Sequence, residues 1–151
     1  MTARTDHPML TPIKALLDAC YEPGQFCPML FIWHGEQHTA CALVGFNEAD
    51  GEQRTRMIEQ TLRLTRATGA ALVTLLALCE ARELGDGTYE TRGEPSQKMF
   101  LTAYDGAVTV EMADAPNDGP LGEWGPPPGE VAGPLVEALR RGCASARQGL
   151  N

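Results

Sequence analysis

Apolar and polar positions along the chain fall into segments of two different periods, separated by turn signals. Thr11 and Pro12 open the first. The threonine hydroxyl can cap free amides, and proline at the first helical position loses no useful N–H. Ile13, Leu16 and Leu17 then form one stripe of a helix that ends before Pro23 and Gly24. From Met29 to His34, and again from Thr39 to Phe46, aromatic and β-branched residues are enriched around a short break, Gly35 to Gln37, as in a hairpin. Asp50 with Gln53 three residues on is a variant capping box. Met57, Ile58, Thr61, Leu62 and Thr65 follow at helical spacing, with Gly69 closing the helix.

Ala70 to Leu84 reads as a long strand, apolar on both faces in its first half and alternating in its second. A glycine-rich stretch, residues 85–95, reads as a loop. Lys98 to Tyr104 and Ala107 to Met112 then form a hairpin around Asp105-Gly106, a dipeptide suited to a two-residue turn. That turn pairs Ala103 with Val108, Leu101 with Val110 and Met99 with Met112. It leaves Lys98, Phe100, Thr102, Tyr104, Thr109 and Glu111 on the opposite, amphipathic face. Residues 114–129 are too rich in proline and glycine for regular structure. Pro134 can start a last helix with Leu135, Val136, Leu139 and Cys143 as its apolar positions. The expected fold is α+β, an antiparallel sheet of about five strands in the order α-β-β-α-β-β-β-α packed with helices. Residues 1–10 read as an N-terminal arm, 11–147 as a single domain and 148–151 as a tail.

This order of elements, a hairpin and a three-stranded meander separated by a central helix, resembles the roadblock and longin group of profilin-like domains over residues 11–147. The resemblance implies a dimerising or scaffolding module without catalysis, by analogy of fold.

Composition narrows the function classes. At 151 residues and 43% hydrophobic residues the chain can bury a core of its own. A net charge of -8 argues against a nucleic-acid partner, which would need a cationic surface. The start of the chain lacks the apolar core of a signal peptide, and the longest apolar run, Ala70 to Cys79, is too short to span a bilayer. A cytoplasmic, non-membrane protein is therefore expected. Five cysteines without regular spacing fit a reducing compartment, with Cys41, Cys79 and Cys143 read as apolar filler. Ten arginines against two lysines, with much alanine and glycine, suggest a GC-rich bacterial or phage source.

Candidate chemistry is sparse. In WHGEQHTAC, residues 33–41, a helix would place His34, His38 and Cys41 on one face, ready for zinc. The glycine and the preceding Phe31-Ile32-Trp33 favour a hairpin instead. With a three-residue loop, His34 faces His38 while Cys41 pairs with Phe31 on the other side, so no metal site is assigned and the two histidines are weak candidates. That register puts Leu30, Ile32, Ala40, Ala42 and Val44 on one apolar face, the candidate interface with a protein partner or a second copy. Ser96 and Ser145 lie outside any nucleophile elbow, a Cys–His pair is left open, and no phosphate loop is present. Asp86, Glu90, Glu94, Asp114 and Asp118 read as surface acids. A small-molecule binder or enzyme could instead use Glu80, Arg82, Phe100, Tyr104 and Glu111 on the amphipathic face, with the Pro-rich loop and Trp124 as a lid. No cofactor is expected and no catalytic residue is assigned; a non-catalytic interaction or dimerisation module is the preferred reading.

Overall fold

The computed structural model describes residues 9–24, 26–34, 37–127 and 133–148, without side-chain detail at 77–83, 89, 91–95 and 144–148. Three helices and a five-stranded antiparallel sheet follow one another as α1 (Leu10–Cys20), β1 (Met29–His34), β2 (Gln37–Ala42), α2 (Gly51–Thr65), β3 (Gly69–Glu83), β4 (Tyr89–Tyr104), β5 (Val108–Asp114) and α3 (Pro134–Gln148). The spatial order is β2-β1-β3-β4-β5. The expected α+β class and element order are those observed.

The middle of the sheet is buried on both faces. Ala70 and Leu72 of β3 join Leu30, Ile32, Leu43 and Phe46 under α2 and α3, which contribute Ile58, Leu62, Ala138, Leu139 and Cys143. Ala71 and Val73 point the other way, with Phe31, Trp33, Met99, Leu101 and Ala103, beneath Leu10, Ile13 and Leu17 of α1. Alternate residues of one strand thus serve two separate cores, as the period of two requires.

The helix ends are built partly as the sequence suggests. Asp50 accepts from the Gln53 amide at 2.7 Å and Gln53 returns the bond to the Asp50 amide at 3.0 Å, completing the capping box. Along α2 the i,i+4 pairs Glu52–Arg56 and Glu59–Arg63 form at 3.2 and 3.3 Å, and Glu59 also holds Arg141 of α3 at 2.8 Å. α2 ends at Arg66, which takes the left-handed conformation with φ 54, and not at Gly69. Gly69 instead starts β3, where an added Cβ would stand 3.0 Å from the Tyr104 carbonyl. α1 begins two residues earlier than Thr11-Pro12 implies. Its N-cap is Met9, with no side-chain cap, and Leu10 is wholly buried, so the domain takes in a residue read as part of the arm.

β4 is much longer than expected. The glycine-rich stretch extends the β3–β4 ladder to Glu83↔Tyr89, with a tight turn in which the Leu84 amide meets the Thr88 carbonyl at 3.0 Å. Register slips between Leu78↔Ser96 and Glu80↔Arg92, so Gly93, Glu94 and Pro95 stand opposite Cys79 alone. Proline cannot donate to the ladder, and a bulge absorbs it.

α2 and α3 approach closely at Gly142, where a Cβ would lie 2.8 Å from both Cβ and Cδ1 of Leu62. Leu62 is fully buried and its Cβ cannot retreat without moving α2. Gly142→Ala is expected to destabilise the protein by about 1–3 kcal/mol through overpacking, although alanine is the better helix former by roughly 1 kcal/mol. A denaturant melt checks this; a stabilised variant would show that the contact is not close.

Candidate functional site

Two hairpin registers differ by one residue from those expected, and both move candidate residues to a different face. In the β1–β2 hairpin His34 pairs with Gln37, Trp33 with His38, Phe31 with Ala40 and Met29 with Ala42. His38 therefore shares a face with Trp33 on the α1 side, while His34 lies on the α2 side. The His34 ring donates from Nδ1 to the Arg66 carbonyl at 2.8 Å, helping to end α2. The two histidines do not converge, and no group of three metal-ligating side chains exists among the described residues. The expected face-to-face pair is corrected by a register shifted by one residue.

The same shift divides the candidate interface. Leu30 and Ile32 are buried in the core under α2 and are not available to a partner of the folded chain. Ala40 and Ala42 point to the α1 side and are exposed, and Val44, beyond the end of β2, is 81% exposed.

In the β4–β5 hairpin Tyr104 pairs with Val108, Ala103 with Thr109 and Leu101 with Glu111, across a three-residue turn in which Gly106 has φ 110. Glu111 consequently faces α1, where both its carboxylate oxygens meet Lys14 Nζ at 3.0 Å. Phe100 and Tyr104 face α2 and α3 instead, Tyr104 within that core and Phe100 beside Thr74, Thr102 and the start of α3. Glu80 and Arg82 are in register with Arg92 and Glu90, beyond the bulge. Glu80 lies six positions along β3 from the Thr74↔Phe100 pair, a distance of roughly 20 Å. The amphipathic site is thus not assembled: its members lie on two faces and at a remote strand end.

Trp124 tacks down the Pro-rich loop. Its indole packs on the α1-side core and donates from Nε1 to Asp18 at 3.0 Å. Gly125 exchanges backbone bonds with Met112 at 2.8 and 2.9 Å, Gly122 donates to the Asp114 carbonyl at 2.9 Å, and the Tyr21 hydroxyl donates to the Pro116 carbonyl at 2.9 Å. Burial raises the Tyr21 pKa above that of a free phenol. The loop therefore runs along the outer edge of β5 and partly closes it.

At the opposite edge the backbone of β2 is open. Leu43 donates to the Pro28 carbonyl at 2.9 Å, continuing the series in which Gln37, Thr39 and Cys41 bond to β1. His38, Ala40 and Ala42 must then aim their N–H and C=O groups outward. Among the described residues no strand or loop takes these groups; the Ala42 carbonyl accepts from Cys41 Sγ at 3.7 Å. Beside this edge lie two apolar hollows under α1. One, of about 270 Å³, is lined by Met9, Pro12, Leu16, Trp33 and His38; the other, of about 230 Å³, by Leu17, Cys20, Phe26, Cys27 and Ala42. Sequence reasoning picked Ala40 and Ala42 for their apolar character, but which backbone groups stay unpaired depends on register and strand order.

Comparison with protein-family models, curated proteins and solved structures found no match. No helix among the described residues is long and apolar enough to cross a membrane.

Lys14 and Glu111 form a nearly buried ion pair, each side chain about one-tenth exposed. Lys14→Met should cost about 3 kcal/mol by stranding the Glu111 carboxylate, whereas the double change Lys14→Met/Glu111→Leu should recover most of that loss. Paired denaturant melts decide; a double variant as weak as the single one would refute the stranded-charge explanation.

Proposed function

We propose that this protein is a small interaction module that engages a protein partner through the open edge of β2 and the apolar shelf between that edge and α1. The observation that carries this reading is the contrast between the two ends of the sheet. The chain spends its Pro-rich loop on the outer edge of β5, tied by Trp124 and the Met112–Gly125 bridge. It leaves β2 bare. Natural sheets guard such edges with lysine, proline, bulges or a covering segment. β2, with the sequence Gln-His-Thr-Ala-Cys-Ala, has no lysine, proline or acid, and its pairing with β1 runs without a register shift.

An added strand would find donors and acceptors at alternate residues, with apolar hollows near His38 and Ala42 to receive side chains. The charge of -8 favours a neutral or basic protein surface over a nucleic-acid backbone. Cys20, Cys27, Cys41 and Cys143 are free thiols, which supports a reducing cytoplasm as the place of action.

Ala40→Pro removes an outward N–H that β1 does not use, at an edge position where proline is tolerated. The expected outcome is a melting temperature close to that of the unaltered chain, with loss of those proteins that co-purify with the tagged unaltered chain from its own host. Recovery of the same set by both chains would refute an edge-mediated function.

A further inference from the structure

We infer that the hollow between the start of α3 and the β3–β4 ladder is a binding site for a small monocarboxylic acid with an apolar body. It lies on the α2 and α3 side of the sheet, across from the β2 shelf, and is independent of the edge-mediated reading. The hollow measures about 210 Å³ and is walled by Leu72, Leu76, Phe100 and Val136. Sites for drug-sized ligands run to roughly 300–1,000 Å³, so the occupant here is smaller.

Two polar side chains face this apolar space without partners. Thr74 and Thr102 are 7% and 8% exposed, and neither hydroxyl bonds to another group among the described residues. No polar side-chain atom of the described residues is both sealed from solvent and unbonded, so each hydroxyl oxygen opens onto accessible space, the hollow that both threonines line. Leu72 pairs with Thr102 and Thr74 with Phe100, which makes the threonines diagonal neighbours on one face, roughly 7–8 Å apart. One carboxylate set between them can accept from both.

Further donors come from α3. The Glu137 amide donates to the Gly133 carbonyl at 3.1 Å, making Gly133 the N-cap and Pro134 the first helical residue. Glycine brings no capping oxygen and proline no N–H, so the amides of Leu135 and Val136 are those that a side-chain cap would otherwise satisfy. Gly133, Leu135 and Val136 line the hollow together with the threonines. A bound carboxylate takes the place of the missing cap, beside the positive end of the helix dipole. Phe100 and Leu76, the latter 48% exposed, offer apolar surface to the rest of the molecule. Among the described residues no lysine, arginine or histidine lines the hollow. A phosphate dianion would be desolvated there without a countercharge, whereas neutral donors suffice for one carboxylate.

Titration of the isotope-labelled full chain with sodium benzoate and with sodium hexanoate, followed through its backbone amide resonances, tests the inference. At least one acid should shift the amides of Leu135 and Val136 saturably, together with those of Thr74 and Thr102. Benzyl alcohol, hexanol and inorganic phosphate at the same concentration should shift them little. Thr74→Val and Thr102→Val keep the shape and strand preference of threonine but remove the hydroxyl, so each should weaken acid binding about tenfold. Leu64→Lys, at an 85% exposed position of α2, should leave the affinity unchanged.

No saturable shift at the start of α3 with either acid overturns the inference. So does an equal response to the alcohols, an equal or stronger response to phosphate, or unchanged affinity in both folded valine variants. Should a valine variant fail to fold, the comparison of acids with alcohols and phosphate on the unaltered chain decides by itself.

Discussion

The whole molecule depends on a sheet that is buried on both faces. Ala70 and Leu72 of β3 belong to the core beneath α2 and α3, and Ala71 and Val73 to the core beneath α1. With apolar demand on each side, the pleat assigns every strand residue to one compartment or the other, and a shift of one residue moves it across the sheet. The rows confirm how strictly this operates. Met29, Val73, Leu101 and Glu111 lie in register across four strands, and so do Ile32, Ala70, Tyr104 and Val108. Glu111 is the polar end of an otherwise apolar row. It is tolerated there because Lys14 reaches it from α1 and satisfies both carboxylate oxygens.

The helices are fastened to this sheet by directional contacts at their ends. His34 and Thr68 meet the last turn of α2 and the end of β1, bonding to the carbonyls of Arg66 and Trp33. Arg54 secures the segment after β2 by donating to the carbonyls of Phe46 and Asn47 at 2.8 and 3.0 Å, with its guanidinium 5.0 Å from the Phe46 ring centre. Hydrophobic burial holds the layers together, while these bonds decide where each helix stops and the chain turns back. At the far end of β3 and β4 Asp86 accepts bonds from Thr88, which hold its carboxyl below the usual aspartate range and shape the turn.

Among the described residues the two edges of the sheet differ in what lies along them. The Pro-rich loop leaves directly from the end of β5, so it reaches that edge at little cost in chain length. Trp124 and Tyr21 secure it to the α1 face. β2 lies four strands away, at the other end of the sheet, and the chain after it runs to the capped entry of α2. The open edge and its shelf are consequences of topology as much as of the residues in β2. This is why the edge-mediated reading rests on backbone geometry and not on a cluster of reactive side chains.

Local signals in the sequence determined the kinds of element and their order. The apolar spacing in α2 and α3, the capping box at Asp50, Pro134 at the start of α3 and the long apolar run of β3 all act within a few residues, where propensity and periodicity decide. The sequence placed Ala40 and Ala42 on one face with Leu30 and Ile32, and the observed register puts them on the other. What lay beyond local signals was register and length. Asp105-Gly106 suits a two-residue turn, yet the packed faces of β4 and β5 take a three-residue one. The glycine-rich residues after β3 become strand because a long partner strand is there to pair with them. Those choices are made by contacts distant in sequence, so only the tertiary structure could separate His34 from His38, send Glu111 to Lys14 and place β2 at an edge of the sheet.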